Sequence, residues 1–401
     1  MRLLVLDTIH GGGVIAAALA AQGHQVDAVD VYRGEGGVPE EVAMEQQYDL
    51  LIAPVHLDPT HPLLHHHRCP AITHHQAVRW ILGNQVPHPF IEVTGAQGKT
   101  TTATALAFLM KGPGILHTST GTYQYPEKKL LFQSSITPAS EIAAAEAALA
   151  IDGWMIAEVS LGVTGAGDLA ILTSGNDYRC AAGTRSALEE KIRSVATASI
   201  VVAPLDVQTA HPHQVSVDQA TTIRDDQCQF TYQRTTGHFK NTLLLLPAYH
   251  SPLALATTAA LILGLDPSGL GGFEPLDGRM KISTRGQTLI VDNANSGVSR
   301  VTTREAVNTA RSMNPKMPVT LVIGEEAHAV CEGFSPREIR AAIAETWPAS
   351  VVLVGEKARA LLSGLPDDQF LAAETLAEAV PMAEKLTPQG GSIVLAVKMW
   401  R

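Results

Sequence analysis

Between residues 90 and 110 the chain runs Phe90-Ile91-Glu92-Val93-Thr94, then Gly95-Ala96-Gln97-Gly98-Lys99-Thr100-Thr101, then an alanine-rich stretch from Ala103 to Met110. An apolar strand, a glycine loop and a helix in this order leave few folds open. The loop must turn sharply at the end of a strand and present its backbone N–H groups at a helix N-terminus. Such a loop receives phosphate: the amides and the helix dipole face the oxygens, Lys99 adds a cation for the β- and γ-phosphates, and the Thr100 hydroxyl is placed to ligate Mg2+. Only Ala96 and Gln97 separate the two glycines, where the common phosphate loop has four residues. The run predicts an α/β domain that holds a nucleoside triphosphate through Gly95, Gly98, Lys99, Thr100 and Thr101.

The flanking sequence alternates in the same way. Leu3 to Leu6 reads as a strand, His10-Gly11-Gly12-Gly13 as a turn, Val14 to Gln22 as a helix and Gln25 to Val31 as a strand, which is a βαβ opening. A strand at Leu50 to Ala53 and a helix at His75 to Leu82 complete a small Rossmann-like domain over 1–87, bounded by Pro87 and Pro89. The phosphate loop then opens a larger domain over 88–272. It has strands at Trp154 to Val159, Leu169 to Thr173 and Ser199 to Ala203, and helices at Glu141 to Ala150, Ser186 to Ala196 and Pro252 to Leu263. Past the Gly- and Pro-rich stretch Gly269 to Pro275 a second Rossmann-like domain is expected over 273–401. Its strands are Thr288 to Asp292, Pro318 to Ile323, Ser350 to Val354 and Ser392 to Val397, and its helices Arg304 to Ser312, Pro336 to Glu345 and Glu356 to Leu362.

Composition narrows the partners. Apolar residues make up 45% and charged residues 17% of the chain, the range of a folded enzyme. A net charge of -10 argues against a nucleic-acid or membrane-surface binder, which carries a basic field. Cys69, Cys180, Cys228 and Cys331 are widely spaced with no CxxC pair, so neither a disulfide framework nor a cysteine zinc site is expected, and a reducing cytoplasm fits. Met1 to Asp7 lacks the basic flank and cleavage site of a signal peptide, and no run reaches the roughly 18 apolar residues of a membrane span. The expectation is a soluble cytoplasmic protein.

Other residues carry chemistry by type and place. Glu158 ends the strand Met155 to Val159, where an acid is a fair metal ligand or a solvated surface group. Lys191 stands beside Glu189, Glu190 and Arg193 and by residue type alone reads as part of a charged helix face. The amides of Gly11 to Gly13 can receive an anionic group or form a plain turn. His56, His61, His65, His66, His67, His74 and His75 can bind a metal, lie near a metal-bearing substrate, or be solvated loop side chains.

The shortened loop Val93-Thr94-Gly95-Ala96-Gln97-Gly98-Lys99-Thr100-Thr101 resembles that of the Mur ligases, the family of the muramyl amino-acid ligases and folylpolyglutamate synthetase. Further landmarks follow in order. Glu158 matches the family's acid that holds Mg2+ beside the γ-phosphate, and Lys191 its lysine that becomes carbamylated and bridges a second Mg2+. Ile171 to Tyr178 resembles the strand that ends in a metal-binding histidine. Tyr178 occupies the histidine position, leaving Asp177 as the substitute ligand. His250-Ser251-Pro252-Leu253-Ala254 stands where relatives carry a histidine and two asparagines near the adenine. Gly278-Arg279 matches a Gly-Arg whose guanidinium reaches the phosphates, and Asp292 an aspartate that meets the ribose.

The resemblance implies a three-domain Mur-ligase-like architecture with a central P-loop ATPase domain between two Rossmann-like domains. It also implies ATP and Mg2+ as cofactors and Lys99, Glu158 and Lys191 as catalytic residues. Within the family, Leu4-Val5-Leu6-Asp7-Thr8-Ile9-His10-Gly11-Gly12 and Asp292-Asn293-Ala294-Asn295-Ser296-Gly297 are similar to a methanogen branch whose substrate is a nickel tetrapyrrole with a free propionate. That branch implies ring closure through an acyl phosphate, with ADP and phosphate released. The alternatives are an amide ligase joining an amino acid to another carboxylate, and a nucleotide-binding regulatory protein without chemistry.

Overall fold

Short apolar runs alternating with helices place most strands in parallel sheets covered on both faces. The computed structural model describes residues 1–34, 36–326, 333–362 and 369–399; Cys331 lies outside them. The chain forms two compact units, Met1–Phe273 and Glu274–Arg401.

The first unit contains two parallel-rich sheets. The smaller has strands β1 (Arg2–Leu6), β2 (Gln25–Val29), β3 (Leu50–Ala53) and β4 (Ala71–Thr73) in the order β2-β1-β3-β4, all parallel. The larger is built on β5 (Phe90–Thr94), β6 (Gly114–Thr118), β7 (Gly121–Tyr125), β8 (Lys129–Phe132), β9 (Trp154–Glu158) and β10 (Leu169–Leu172). A two-strand hairpin, β11 (Arg179–Cys180) and β12 (Arg185–Ser186), stands apart from it, and β13 (Ile200–Ala203) and β14 (Gln214–Ser216) complete the order β14-β13-β10-β5-β9-β6-β7-β8. The strands from β14 to β6 run parallel, and β7 and β8 extend the edge antiparallel. An antiparallel meander follows, β15 (Thr221–Arg224), β16 (Gln227–Tyr232) and β17 (Thr235–Lys240).

The second unit is one sheet of six strands, β18 (Lys281–Arg285), β19 (Thr288–Asp292), β20 (Val319–Glu325), β21 (Ser350–Val354), β22 (Phe370–Ala373) and β23 (Ser392–Lys398). Their order is β18-β19-β23-β20-β21-β22, with only the edge strand β18 antiparallel. Helices Arg300–Met313, Pro336–Thr346 and Leu376–Leu386 cover it, each with a side-chain cap from Ser299, Ser335 or Thr375.

Several expected elements are longer in the structure. The helix after the phosphate loop is Lys99–Leu109 and begins at the loop itself instead of at Ala103. The helix expected from Pro252 is Pro247–Ile262, with Pro247 at its first position, where a residue without an N–H costs nothing. The antiparallel β6-β7-β8 edge and the β15–β17 meander were not expected.

The two sheets of the first unit share a core. Leu3, Val5 and Ile15 of the small sheet layer and Ala77 and Val78 of helix His74–Leu82 pack with Ile142 and Ala145 of helix Ser140–Ala150 and with Met155 and Val159 around β9. Polar bonds reinforce the contact. His75 Nε2 is 3.0 Å from Ser160 O, and His74 Nε2 is 2.9 Å from Leu6 O. Burial pushes both imidazoles down to about 4, so they are neutral donors at neutral pH. Glu92, in the middle of β5, accepts hydrogen bonds from Thr164 N and Oγ1 and from the amides of Gly165 and Gly167, and so ties the segment after β9 to the loop strand. Burial raises its carboxyl.

A group held neutral in the fold at about 4 but titrating at 6.5 when unfolded leaves the unfolded chain with more protons between those values. Stability therefore falls as the pH drops from 6.5 toward 4. His75→Gln removes this contribution. We expect the stability of the wild type relative to this variant to fall on acidification, with a slope approaching about 1.4 kcal/mol per pH unit. Urea unfolding from pH 7.5 to 4.5 measures it, and parallel curves for the two proteins would contradict a buried neutral His75.

Candidate functional site

β5, β9 and β10 lie side by side, in a register that sets Val93 against Glu158 and Thr94 against Leu172. Their carboxyl ends therefore meet at one place, the position where an open parallel sheet presents its ligand site. Gly95 leaves β5 with φ +146°, and a Cβ there would lie 2.0 Å from Thr173 Oγ1, so only glycine fits. Gly98, at φ +79°, precedes the first helical residue, Lys99. The segment after β10 braces the loop: Thr173 Oγ1 donates to Gln97 O at 2.5 Å, Ala96 N donates to Ser174 Oγ at 3.3 Å, and Asn176 Nδ2 donates to Gln97 Oε1 at 3.1 Å. On the other side Pro252 packs on Gly98, and Ser251 Oγ donates to Thr173 O at 3.4 Å.

Glu158 gathers the site. Its buried carboxylate accepts from Thr100 Oγ1 at 2.8 Å and from Ser119 N at 3.1 Å, and Lys99 Nζ stands 3.6 Å from its other oxygen. Thr100 Oγ1 is 3.1 Å from Ser119 Oγ. A carboxylate and two hydroxyls are hard oxygen donors of the kind Mg2+ takes, so the donor set fits the ion that the loop sequence predicts. Thr101, the next residue, is buried. Lys99 is less open than a bare anion site implies, its side chain being 16% exposed. Sequence reasoning missed Ser119, at the end of β6; the signal was the polar turn Thr118-Ser119-Thr120-Gly121 after an apolar strand. His117, in the same strand, is buried and pushed down to about 4 by that burial, and its Nδ1 is 2.8 Å from Thr122 Oγ1.

Lys191 is not part of a solvated face. It is fully buried in helix Ala187–Val195, and its Nζ lies 4.4 Å from the centre of the Tyr178 ring. A cation over an aromatic face is favourable, so the tyrosine at the expected histidine position touches this lysine. Asp177 is committed elsewhere. Its carboxylate accepts from Leu188 N, Tyr178 N and Ser186 Oγ at 2.8–2.9 Å, starting with the Leu188 amide these bonds hold its carboxyl below the usual range, and it fastens the start of the Lys191 helix. His250 Nε2 is 2.6 Å from Leu244 O.

Arg279 and Asp292 belong to the second unit. Asp292 ends β19 and accepts from the amides of Gly278 and Ala294, at 3.3 and 3.1 Å, which ties the Gly278-Arg279 turn to the sheet.

The first glycine turn already holds an anion of its own. Asp7, buried at φ +73°, accepts from the amides of Ile9 and His10, and Gly12 N donates to Asp7 O. Gly11 packs against Ala139, where a Cβ would lie 2.6 Å from the alanine methyl. The turn is thus a joint within the first unit, and an external anion is not its evident ligand. The histidine stretch divides as well. His65 and His66 meet the carbonyls of Pro59 and Met44, His74 and His75 are buried, and His56 turns toward Asp7.

Comparison with solved structures places this fold. The pseudomurein peptide ligase type C of Methanothermus fervidus matches 99% of this chain and 96% of its own at TM-score 0.54 and 15% identity. The UDP-N-acetylmuramate-alanine ligase of Thermotoga maritima matches 99% and 95% at 0.53 and 13%. The bifunctional folylpolyglutamate synthase/dihydrofolate synthase of Yersinia pestis matches 81% and 90% at 0.56 and 17%. The fold is that of the Mur ligases. The sequence goes further: the coenzyme F(430) synthetase of Methanosarcina acetivorans is 31% identical over 474 residues, covering 100% of this chain and 99% of that protein. Residues 282–399 match the family described as coenzyme F430 synthetase CfbE, C-terminal domain. The chain belongs to the coenzyme F430 synthetase family. No helix among the described residues is long and apolar enough to cross a membrane.

The tightness of the loop is open to test. Gly95→Ala must move Thr173 or twist the backbone, and should destabilise the protein by about 1–3 kcal/mol in urea unfolding. Thr173→Ala in the same chain opens the space and should return part of the loss. An unchanged midpoint for Gly95→Ala alone would contradict the close approach of β5 and β10.

Proposed function

We propose that this protein is an ATP-dependent ligase that activates a propionate carboxylate of a nickel seco-tetrapyrrole and closes a carbocyclic ring to give coenzyme F430, ADP and phosphate. The observation that carries the reading is the convergence of Lys99, Thr100 and Ser119 on the buried Glu158 beside the glycine loop. Membership of the coenzyme F430 synthetase family supports the choice of substrate.

A carboxylate is a poor electrophile, and phosphorylation supplies its leaving group. The propionate oxygen attacks the γ-phosphorus, the bond to the β-phosphate oxygen breaks, and an acyl phosphate forms. A carbon nucleophile on the same macrocycle then attacks the acyl carbon, the C–O bond to phosphate breaks, and the carbon's proton is lost. Lys99 neutralises charge on the transferring phosphoryl group, and the loop amides fix its oxygens. Thr100 and Glu158 would hold Mg2+, which supplies charge neutralisation when bound. Ring closure is intramolecular, so the protein's remaining task is orientation.

In this reading 1–87 binds substrate and 88–272 binds ATP, while Arg279 and Asp292 of 273–401 keep the nucleotide-binding roles that the family resemblance implies. Lys191, carbamylated by CO2, would hold a second Mg2+. Its complete burial in helix Ala187–Val195 supports this over a solvated surface role.

Three measurements test the proposal. Lys99→Ala should lower ATP turnover at least about a thousandfold, as loss of a principal charge-stabilising group does; near-normal phosphate release would remove the loop from the mechanism. Lys191→Ala should be inactive and partly rescued by formate, whereas full activity without formate would make the lysine structural. The wild type should consume ATP on addition of the nickel seco-tetrapyrrole with no amino acid present, and the product should be lighter than the substrate by one water. A requirement for an added amino acid, with an amide as product, would replace the cyclase by an amide ligase.

A further inference from the structure

A second cluster of chemically able side chains lies in the small N-terminal sheet. Asp7 follows β1, His10 sits in the turn beyond it, and His56 is in the loop after β3. The chain leaves β1 to one side to form β2 and returns across it to form β3 on the other. The carboxyl ends of β1 and β3 thus frame a topological switch point, where parallel sheets place their ligands.

The geometry within the crevice is specific. Asp7 Oδ1 serves the turn, accepting from the amides of Ile9 and His10. His10 Nδ1 faces both oxygens, 3.0 Å from Oδ1 and 2.9 Å from Oδ2, and His56 Nε2 is 3.5 Å from Oδ2. Donor atoms of the three residues all lie within 4.8 Å of one another. Around a metal with bonds of about 2.0–2.1 Å, neighbouring donors stand roughly 2.9 Å apart in octahedral and roughly 3.4 Å apart in tetrahedral geometry; the two spacings from Asp7, 2.9 and 3.5 Å, lie near these values.

A purely structural reading accounts for less. Capping the turn uses the amides of Ile9 and His10 on one oxygen of Asp7 and does not require His56, whose Nε2 faces the other oxygen at 3.5 Å. Asp7 is wholly buried, its ion pairs run to these two histidines, and its backbone adopts a left-handed conformation that side-chain-bearing residues seldom hold. The rings are set rigidly, His10 and His56 edge to face at 5.0 Å, with Tyr32 edge-on to His10 at 5.2 Å and stacked on His56 at 6.1 Å.

We propose that Asp7, His10 and His56 form a binding site for a divalent transition-metal ion. Two imidazoles and one carboxylate select borderline ions such as Zn2+, Co2+ or Ni2+ over Mg2+. Three protein donors leave at least one coordination position open, and His10 and His56 are each partly exposed, so the open position can take water or a ligand carboxylate. The site is independent of the ligase reading, because it uses no residue of the phosphate loop.

The test uses the full chain, stripped of metal by a chelator and titrated with Co2+. The expected result is a saturable visible d–d band at one equivalent that Zn2+ abolishes. His56→Ala should weaken Co2+ at least about tenfold, as should Asp7→Asn, which keeps an oxygen for the turn amides. The double variant His65→Gln/His66→Gln should bind Co2+ as the wild type does, since those imidazoles already meet carbonyl groups. His56 lies in a loop, so circular dichroism should show His56→Ala folded, and that variant decides the matter if Asp7→Asn does not fold. Absence of a saturable band in the wild type, or an unchanged affinity in folded His56→Ala, would overturn the proposal.

Discussion

The carboxylate of Glu158 is the interaction on which the site depends. A buried charge is costly unless it is paired and hydrogen-bonded, and Glu158 meets that demand with groups from separate elements: Thr100 and Lys99 from the loop helix and the Ser119 amide from the turn after β6. Satisfying one carboxylate thereby fixes the relative positions of β5, β6 and β9 at their carboxyl ends. The same oxygens are thereby held in a fixed orientation beside the glycine loop. Thr173, Ser174 and Asn176 close the arrangement from β10 through bonds to the loop.

The small N-terminal sheet is held to this frame by contacts that leave little room for variation. His75 reaches Ser160, two residues beyond Glu158, and Gly11 is pressed against Ala139. Arg185 Nη1 donates to Val55 O at 3.4 Å, which brings the loop that carries His56 against the hairpin preceding the Lys191 helix. The small N-terminal sheet and the sheet that carries the glycine loop therefore share one core and several buried polar bonds, and a shift in one is felt by the other because close-packed interiors deform little.

Much of the site was legible because its signals are local. Gly95, Gly98, Lys99 and Thr100 fall within one strand-loop-helix unit whose geometry follows from short-range backbone chemistry. The strands Leu50–Ala53, Phe90–Thr94, Thr288–Asp292 and Ser350–Val354 agree with their sequence readings to the residue, each being a short apolar run bounded by turn residues. The β15–β17 meander escaped because its strands alternate polar and apolar residues and carry their meaning only when paired. Ser119 escaped for a related reason: a serine in a turn has no distinguishing mark until a distant glutamate bonds it. By residue type alone Lys191 reads as part of a charged face because its neighbours Glu189, Glu190 and Arg193 are charged, whereas the helix turns this one side chain of the group inward.

By itself the sequence determined the α/β alternation, the phosphate loop and the order of the acidic and basic landmarks, because these rest on periodicity and on residue types adjacent in the chain. The tertiary structure decided which of them act together. Only folding could bring Glu158 to Thr100 across 58 positions, direct His56 to Asp7, commit Asp177 to a helix start and set Lys191 over Tyr178. Burial and hydrogen-bond satisfaction make those choices, and both are properties of the packed chain that no local stretch of sequence carries.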